Sequence, residues 1–271
     1  MNQIKVCFCG NRNFRTKFTY KGFTEAEKKY FRSKNFTRRI IECKSCNHLY
    51  SVHKINLNNF YKNNTYLKKH YGDMSKLYET FQKIRKLDPK KSDNSYRIKR
   101  IKNFVKEKNL ILKRIELLDI GSGTGIFPYL IKKFIKTSIC FEDSSHCSKY
   151  LSKYLNLKVI SKKQYFKQNS SKKFDLITIN KVLEHVENPI NLLTNVYKFM
   201  SKNTILYIEV PDAKASKYGK YRGELGIEHH HLFTTKSLKS MISKTNLRIN
   251  LMKQIKEPSG KYTLFAFLSL K

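Results

Sequence analysis

Residues 116–125 read E-L-L-D-I-G-S-G-T-G, and this stretch decides the fold of the chain. Its first half is apolar enough for a buried β-strand, whose buried positions are Leu117, Leu118 and Ile120. Three glycines then follow at alternate positions, namely Gly121, Gly123 and Gly125. Because glycine has no Cβ, the chain can turn sharply here and its backbone can lie directly against a ligand. The stretch therefore predicts a strand, a ligand-binding turn and a helix, which together begin an α/β domain.

The charge of Asp119 narrows the choice of ligand. A nicotinamide or flavin fingerprint requires a third glycine where this chain has Ile126, and Asp119 would repel the pyrophosphate of such a cofactor. The turn also lacks the G-K-S/T ending of a P-loop, which disfavours hydrolysis of nucleoside triphosphates. S-adenosylmethionine carries a sulfonium and a free amino group, so its positive charge fits this site.

The run L-L-D-I-G-S-G-T-G resembles motif I of the class I S-adenosylmethionine-dependent methyltransferases. The resemblance implies a Rossmann-like α/β fold with a seven-stranded sheet and a C-terminal antiparallel hairpin. It also implies that Asp119 and the glycine turn hold the cofactor, and that an acid after the next strand binds both ribose hydroxyls. Glu142 lies about 20 residues beyond Gly121, as expected for that acid, and Asp143 is the alternative.

A second segment, K-F-D-L-I-T-I-N-K-V-L-E-H-V at 173–186, resembles motif IV of the family. Residues 174–179 predict a buried strand, and Asn180 follows its carboxyl end, where doubly wound sheets bind ligands. We therefore assign Asn180 to the cofactor site. Glu184 and His185 are a candidate acid and base near the transferred methyl group, or alternatively they anchor the entry into the next helix. The segment lacks N-P-P-Y, which disfavours methylation of adenine or amide nitrogen.

A third segment contains Glu228, His229 and two further histidines. Sugar methyltransferases that resemble this chain have a Glu-His pair here, in which the histidine is the general base. We carry that role to His229, with Glu228 beside it and His185 as the next candidate, since a histidine suits proton removal near neutral pH. The three consecutive histidines could alternatively bind a metal. Related C-methyltransferases have a tyrosine where this chain has Gly226, which favours O-methylation over C-methylation.

The first sixth of the chain contains four of the six cysteines, namely Cys7, Cys9, Cys43 and Cys46. Two close pairs of this kind are typical of a structural zinc ribbon, in which four thiolates complete a tetrahedron. The first pair has one intervening residue where two are usual, so His48 or His53 is an alternative ligand. The alternative interpretation is that the four cysteines are unliganded thiols in a reducing compartment. Some methyltransferases that act on sugar nucleotides carry a similar module before motif I.

The composition is strongly basic, with a formal net charge of +36. Only 11 of the 56 basic residues are arginine, and the lysines are spread along the whole chain. Arginine is the residue that recognition of phosphates and bases favours, so we interpret the charge as compositional bias rather than a nucleic-acid surface. A positive field would still attract small anionic substrates. The chain shows neither a long apolar run nor a signal-peptide pattern, so we expect a cytoplasmic protein without a membrane partner.

Together these features predict three regions: a zinc-binding module at 1–56, a helical connector at 57–110 and a methyltransferase domain at 111–271. Tyr61, Tyr66 and Tyr71 are candidates to line the substrate cleft, and Gln164 or Tyr165 would contact adenine. Residues 212–226 predict a substrate loop without regular structure. The expected reaction is O- or C-methylation of a sugar nucleotide or a surface-polysaccharide precursor. The alternatives are an RNA methyltransferase and a nucleic-acid-binding protein that retains only the cofactor fold.

Overall fold

The computed structural model describes residues 6–28, 31, 36–55, 72–142, 144–161 and 172–271. Along the chain the strands are β1 (Phe14–Lys21), β2 (Thr37–Cys43), β3 (Leu49–Val52), β4 (Glu116–Ile120), β5 (Thr137–Phe141), β6 (Lys158–Ile160), β7 (Leu176–Asn180), β8 (Ile205–Pro211), β9 (His231–Leu232), β10 (Leu247–Lys256) and β11 (Tyr262–Leu270). The helices are α1 (Glu25–Lys28), α2 (Met74–Arg85), α3 (Asp93–Glu107), α4 (Ile126–Ile131), α5 (Ser145–Leu155), α6 (Pro189–Val196) and α7 (Thr235–Ser243). Asp143, Tyr61, Tyr66, Tyr71, Gln164 and Tyr165 lie outside the described residues.

Seven strands form the central sheet in the order β10-β11-β8-β7-β4-β5-β6. Strands β4 to β8 are parallel to one another, and β11 is antiparallel to both β8 and β10. This is the predicted Rossmann-like sheet with its C-terminal hairpin, so the fold expected from the glycine turn is confirmed. Strand β4 lies between β5 and β7, which places its carboxyl end in the middle of one edge of the sheet.

Helices cover both faces of this sheet, because its strands carry apolar side chains on both sides. On one face α3 and α4 pack against alternate residues such as Leu117 and Tyr207. On the other face α6 and α7 pack against the intervening residues, including Leu118 and Ile208. All seven residues of β8 are buried. The helices on both faces thus hold the sheet in place, including the edge at which β4 ends.

The residues at the N-termini of the helices follow the usual capping preferences. Asn188 caps α6 by accepting from the backbone N of Asn191, and Pro189 occupies the first turn, as the sequence predicts. Thr234 and Ser237 form a reciprocal capping box at α7. No helix within the described ranges is long and apolar enough to cross a membrane.

A smaller sheet has the antiparallel order β1-β2-β3-β9. Its first three strands come from the N-terminal region, whereas β9 comes from the methyltransferase region and pairs Leu232 with Leu49. The two sequence regions are therefore joined by a shared sheet, and the predicted bounds of the three regions stay predictions. We expected an irregular loop after β8, but residues 213–218 and 223–225 form 3-10 turns. Ala213 and Leu225 in those turns pack on Ile40 of β2.

Replacing Gly125 by alanine should destabilise the fold. Gly125 has φ of 74°, and a Cβ there would lie 2.5 Å from methyl carbons of Leu151 and Leu155. Left-handed backbone and overpacking each cost about 1–2 kcal/mol, so we expect a loss of about 3 kcal/mol in urea unfolding. Gly123→Ala is the matched control: its φ is 52°, but the added Cβ meets no described atom within 4 Å. Equal losses in the two variants would contradict the packing argument.

Candidate functional site

The glycine turn closes against protein on two sides and is open on the third. Gly121 donates its backbone N–H to the carbonyl of Phe141 at 3.1 Å, which ties the turn to the end of β5. A Cβ on Gly121 would lie 2.7 Å from a methyl carbon of Val182, in the segment after β7. At Gly123, by contrast, an added Cβ would face no described atom within 4 Å. The turn therefore presents its backbone to open space at Gly123, where a ligand can approach closely.

Asp119 joins the two central strands at this edge. Its side chain is 2% exposed, and its Oδ1 accepts hydrogen bonds from Thr178 Oγ1 at 2.6 Å and from Asn180 Nδ2 at 3.0 Å. Burial raises the pKa of Asp119 to about 6. The structure thus brings the predicted pair Asp119 and Asn180 into direct contact. The buried Oδ1 of Asn180 has no hydrogen-bond partner among the described residues, so an acceptor remains at the cofactor edge.

Glu142 lies at the same edge, directly after β5. It is half-buried, and its Oε1 accepts a hydrogen bond from the backbone N of Ser144 at 3.2 Å. Its own backbone N donates to the carbonyl of Ile160 in β6. Because Phe141 bonds Gly121, the carboxylate of Glu142 and the glycine turn follow adjacent strand ends, as the sequence predicts for a ribose acid.

Three more predicted or candidate residues converge beyond the turn. The ligand-bearing atoms of Glu184, His185 and His229 all lie within 4.8 Å of one another. Glu184 and His185 belong to a short 3-10 turn after β7, and His229 precedes β9. Burial raises the pKa of Glu184 to about 7 and lowers the pKa of His185 to about 3 and that of His229 to about 4. Both imidazoles are therefore neutral over the physiological pH range.

Backbone carbonyl groups fix the tautomers of the two histidines. His185 Nδ1 donates to the carbonyl of Glu228 at 3.1 Å, and His229 Nδ1 donates to the carbonyl of Glu224 at 2.8 Å. Each Nε2 therefore carries the lone pair. The carboxylate of Glu228 is folded against Gly226, where a Cβ would come 2.5 Å from its oxygen. The predicted Glu228–His229 pair is adjacent in the chain, but the residue that shares a cluster with His229 is Glu184.

A cavity of about 840 Å³ has Glu228 among its lining residues. It lies between the smaller sheet and residues 220–228, and its lining includes Tyr20, Arg38 and Arg222. Arg38 is 1% exposed, lies 4.1 Å over the ring of Tyr20, and donates to the carbonyl of Leu225 at 2.8 Å. Its Nε has no hydrogen-bond partner among the described residues. Arg38 also pairs with the buried carboxylate of Glu27 at 3.1 Å, so its charge is balanced within the protein.

Lys181 is a site residue that the sequence analysis missed. It adopts φ of 56°, a conformation that residues other than glycine seldom take. Its Nζ donates to Thr263 Oγ1 at 2.7 Å. Burial lowers the pKa of Lys181, although the carboxylates of Glu209 and Glu184 oppose that change. The available signal was a lysine placed directly after an apolar strand that ends at a ligand-binding edge.

The four N-terminal cysteines come together as predicted. The sulfur atoms of Cys7 and Cys46 are 3.4 Å apart, those of Cys9 and Cys43 are 3.6 Å apart, and all four lie within 4.8 Å of one another. Zinc–thiolate bonds of about 2.3 Å imply sulfur separations of about 3.8 Å in a tetrahedron, so the geometry fits zinc. Hydrogen bonding from Cys46 lowers the pKa of Cys7 to about 5. The short spacing of the first pair is thus compatible with a four-sulfur cluster.

The two alternative ligands, His48 and His53, do not belong to the cysteine group. His48 Nδ1 lies 2.9 Å from Ser237 Oγ, and its Nε2 lies 3.3 Å from His231 Nδ1. Both nitrogens of His53 are buried without a hydrogen-bond partner in the described part of the chain, and His53 is absent from the cysteine group. The structure therefore groups the four cysteines without either histidine.

Comparison with known proteins decides the family. The family model described as "Methyltransferase domain" matches residues 91–251, which is more than half of the chain. The chain belongs to this methyltransferase family. It has the fold of the class I S-adenosylmethionine-dependent methyltransferases, and its glycine turn directly follows β4. No curated protein sequence matches it.

Solved structures agree with the fold of this methyltransferase. Magnesium protoporphyrin IX methyltransferase from Synechocystis PCC 6803, solved with bound SAH, is 10% identical with a TM-score of 0.52 over 77% of this chain and 100% of that chain. A SAM-dependent methyltransferase from Aquifex aeolicus is 15% identical with a TM-score of 0.50, over 73% of this chain and 99% of that one. The methyltransferase domain of a bacterial Hen1, CtHen1-CN, is 17% identical with a TM-score of 0.50, over 66% and 100%.

The stability of the methyltransferase should depend on pH through Asp119. Its pKa in the folded state, about 6, exceeds its ordinary value of 3.8, so its contribution to stability is complete below about pH 4 and is lost as the pH rises through 6. The lost stability amounts to at most about 3 kcal/mol. Asp119→Asn keeps an Oδ1 acceptor for Thr178 and Asn180 but does not titrate. Urea unfolding between pH 4 and 7 should therefore show a steeper decline for the wild type, and parallel declines would contradict the assignment.

Proposed function

We propose that this methyltransferase transfers a methyl group to an oxygen of a small anionic acceptor, a sugar nucleotide or a related polysaccharide precursor. The supporting observation is the cavity of about 840 Å³ that Glu228, the neighbour of His229, helps to line. Its volume suits a nucleotide-linked sugar, since ligand cavities are typically about 300–1,000 Å³. The exposed ring of Tyr221 is available for stacking, and Lys220 in the same lining carries positive charge that suits a phosphate. The net charge of +36 would raise the local concentration of such an anion.

The cofactor would occupy the open side of the glycine turn. Gly121 and Gly125 pack against protein, whereas Gly123 leaves the space that the methionyl part of S-adenosylmethionine requires. Glu142 would accept hydrogen bonds from both ribose hydroxyls. Asn180 Oδ1, which has no partner among the described residues, would accept a hydrogen bond from the positively charged amino group. These roles rest on the position of the residues at one sheet edge.

Methyl transfer needs alignment and the loss of one proton, because the sulfonium is already activated. A lone pair of the acceptor oxygen forms the new O–C bond while the C–S bond breaks and its electrons stay on sulfur. The proton of the acceptor hydroxyl leaves to His229 Nε2, which carries the lone pair because Nδ1 donates to Glu224. The neighbouring carboxylate of Glu184 would stabilise the resulting imidazolium. His185 is the second candidate base, and Glu228 lines the cavity.

The cysteine cluster would hold one structural zinc ion. The sulfur atoms of Cys7, Cys9, Cys43 and Cys46 lie close to the separations that tetrahedral zinc requires, and three of these cysteines are buried. The zinc would supply folding energy to the smaller sheet. That sheet also contains β9, which follows His229, so the zinc would hold the catalytic segment indirectly.

The charge of the chain favours one rival function, methylation of RNA. A net charge of +36 would bind phosphate backbones in a strongly salt-dependent manner. Methylation of a nucleotide sugar at rates that barely change between 50 and 200 mM salt would remove this rival, whereas steeply salt-dependent transfer to RNA would replace our proposal.

His229→Ala should abolish methyl transfer and leave cofactor binding intact. We expect a loss of about 10²–10⁴-fold in kcat for a panel of sugar nucleotides, measured by mass spectrometry of the methylated product. Affinity for S-adenosylhomocysteine, measured by calorimetry, should stay within a few-fold of the wild type. His230→Ala is the matched control, because His230 lies outside the cluster of Glu184, His185 and His229. Unchanged turnover in His229→Ala would remove the base assignment.

Glu142→Ala should weaken the cofactor complex. Loss of two charge-assisted hydrogen bonds to ribose predicts a rise of about 10²-fold in the Kd of S-adenosylhomocysteine. Glu116→Ala is a suitable control, because Glu116 is the first residue of β4 and lies at the end of that strand away from the glycine turn. Calorimetry that gives the same affinity for both variants would show that Glu142 does not bind the ribose.

A further inference from the structure

The cluster formed by Glu184, His185 and His229 contains an unsatisfied buried carboxylate. Glu184 is 1% exposed, and its Oε2 has no hydrogen-bond partner among the described residues. An unpaired carboxylate oxygen in the protein interior is costly, so native proteins pair it with a donor, a water molecule or a metal ion. The ligand atoms of the two histidines lie within 4.8 Å of this carboxylate. Both the orphan oxygen and its neighbours are therefore consistent with a cation site.

The histidines present the correct atoms for metal binding. Metal-bound imidazoles almost always donate their other ring N–H to a carbonyl or carboxylate, which fixes the ring and its tautomer. His185 Nδ1 donates to the carbonyl of Glu228, and His229 Nδ1 donates to the carbonyl of Glu224. Both carbonyl groups belong to the same loop. The lone pair on each Nε2 is thereby oriented by the backbone rather than by another side chain.

We propose that Glu184, His185 and His229 bind one divalent transition-metal cation, separate from the cysteine cluster, and leave one coordination position open. Two imidazoles and one carboxylate form the donor set of catalytic zinc sites and of non-haem iron sites, both of which keep an open position. Bonds of about 2.0–2.2 Å require donor separations of about 3.4 Å, so the donors close by about 1 Å or slightly more on binding. Residues 183–185 form a single 3-10 turn, which can make that adjustment.

The charges around the cluster select among cations. Lys181, which follows β7, acts electrostatically on both Glu184 and His229, and Lys261 acts on His229 as well. With one carboxylate ligand and a neighbouring ammonium group, the site is a poor choice for Mg²⁺, which prefers oxygen ligands. Imidazole nitrogen suits zinc, iron, cobalt or nickel. Zinc is therefore the probe that the ligand chemistry favours.

The open position would face the methyl-transfer site. Val182 precedes the cluster in the chain, and its side chain packs against Gly121 of the cofactor turn. Resting on our proposed function, the cation would bind the acceptor oxygen and lower the pKa of its hydroxyl. The proton would then leave to solvent, the acceptor oxygen would form the O–C bond, and the C–S electrons would remain on sulfur. With the cation bound, His229 would be a ligand instead of the general base proposed above, and His229→Ala would lose activity through loss of the cation.

Zinc stoichiometry tests the inference. The full-length protein is dialysed against micromolar Zn²⁺, and zinc per chain is measured by elemental analysis. We expect two zinc ions in the wild type and in His230→Ala, but one in Glu184→Gln and in His229→Ala, with an affinity loss of at least about 100-fold at the second site. Equal zinc contents in the wild type, Glu184→Gln and His229→Ala would overturn the proposal.

A spectroscopic measurement on the wild type covers the case in which Glu184→Gln fails to fold. Zinc-loaded protein is titrated with Co²⁺, because thiolate ligands retain zinc and the new site takes the added ion. One bound Co²⁺ with visible d–d bands but no thiolate charge-transfer band supports the proposal. Binding that shows only thiolate character, or no binding, overturns it.

The two proposals can fail separately. If the second zinc ion binds and no sugar nucleotide is methylated, the cation site stands and the proposed acceptor is wrong. If the protein with only one zinc ion methylates a sugar nucleotide at the wild-type rate, the acceptor stands and the cation proposal is wrong.

Discussion

The rest of the structure depends on one buried polar junction, at which Asp119 holds the carboxyl ends of β4 and β7 together. Its Oδ1 accepts from both Thr178 and Asn180, although burial disfavours the charged carboxylate. The glycine turn follows on one side of this junction, and the segment of Lys181 and Val182 follows on the other. Because Val182 packs against Gly121, the glycine turn and the segment after β7 have a fixed relative position.

The cysteine module takes part in the same arrangement through β9. This two-residue strand pairs with β3, and His231 within it lies 3.3 Å from His48, which is itself 2.9 Å from Ser237 of α7. Backbone pairing continues at Ser51, whose N–H donates to the carbonyl of His230. The histidine segment is thus held between the N-terminal sheet and the central sheet. A structural metal at the cysteines would stabilise the active segment without touching the substrate.

Several buried charged side chains near the site are ion-paired. Glu209 lies at the centre of a buried network with Arg97 and Arg100; burial alone would raise its pKa, but the two guanidinium groups hold it below its ordinary value. Arg38 is similarly paired with Glu27 at 3.1 Å beneath the cavity. In the described part of the chain, the lysines that form ion pairs are more exposed than these arginines. The net charge of +36 acts as a long-range field.

The sequence alone determined the sheet, the glycine turn and the four cysteines, because apolar periodicity, glycine spacing and cysteine pairing are local properties. It also placed Glu142 and Asn180 at strand ends. Only the tertiary structure decided that Glu184 and not Glu228 shares a cluster with His229, that Lys181 is buried, and that β9 completes the N-terminal sheet. These contacts join segments far apart in the chain, and their formation depends on how the layers pack, which no local pattern encodes.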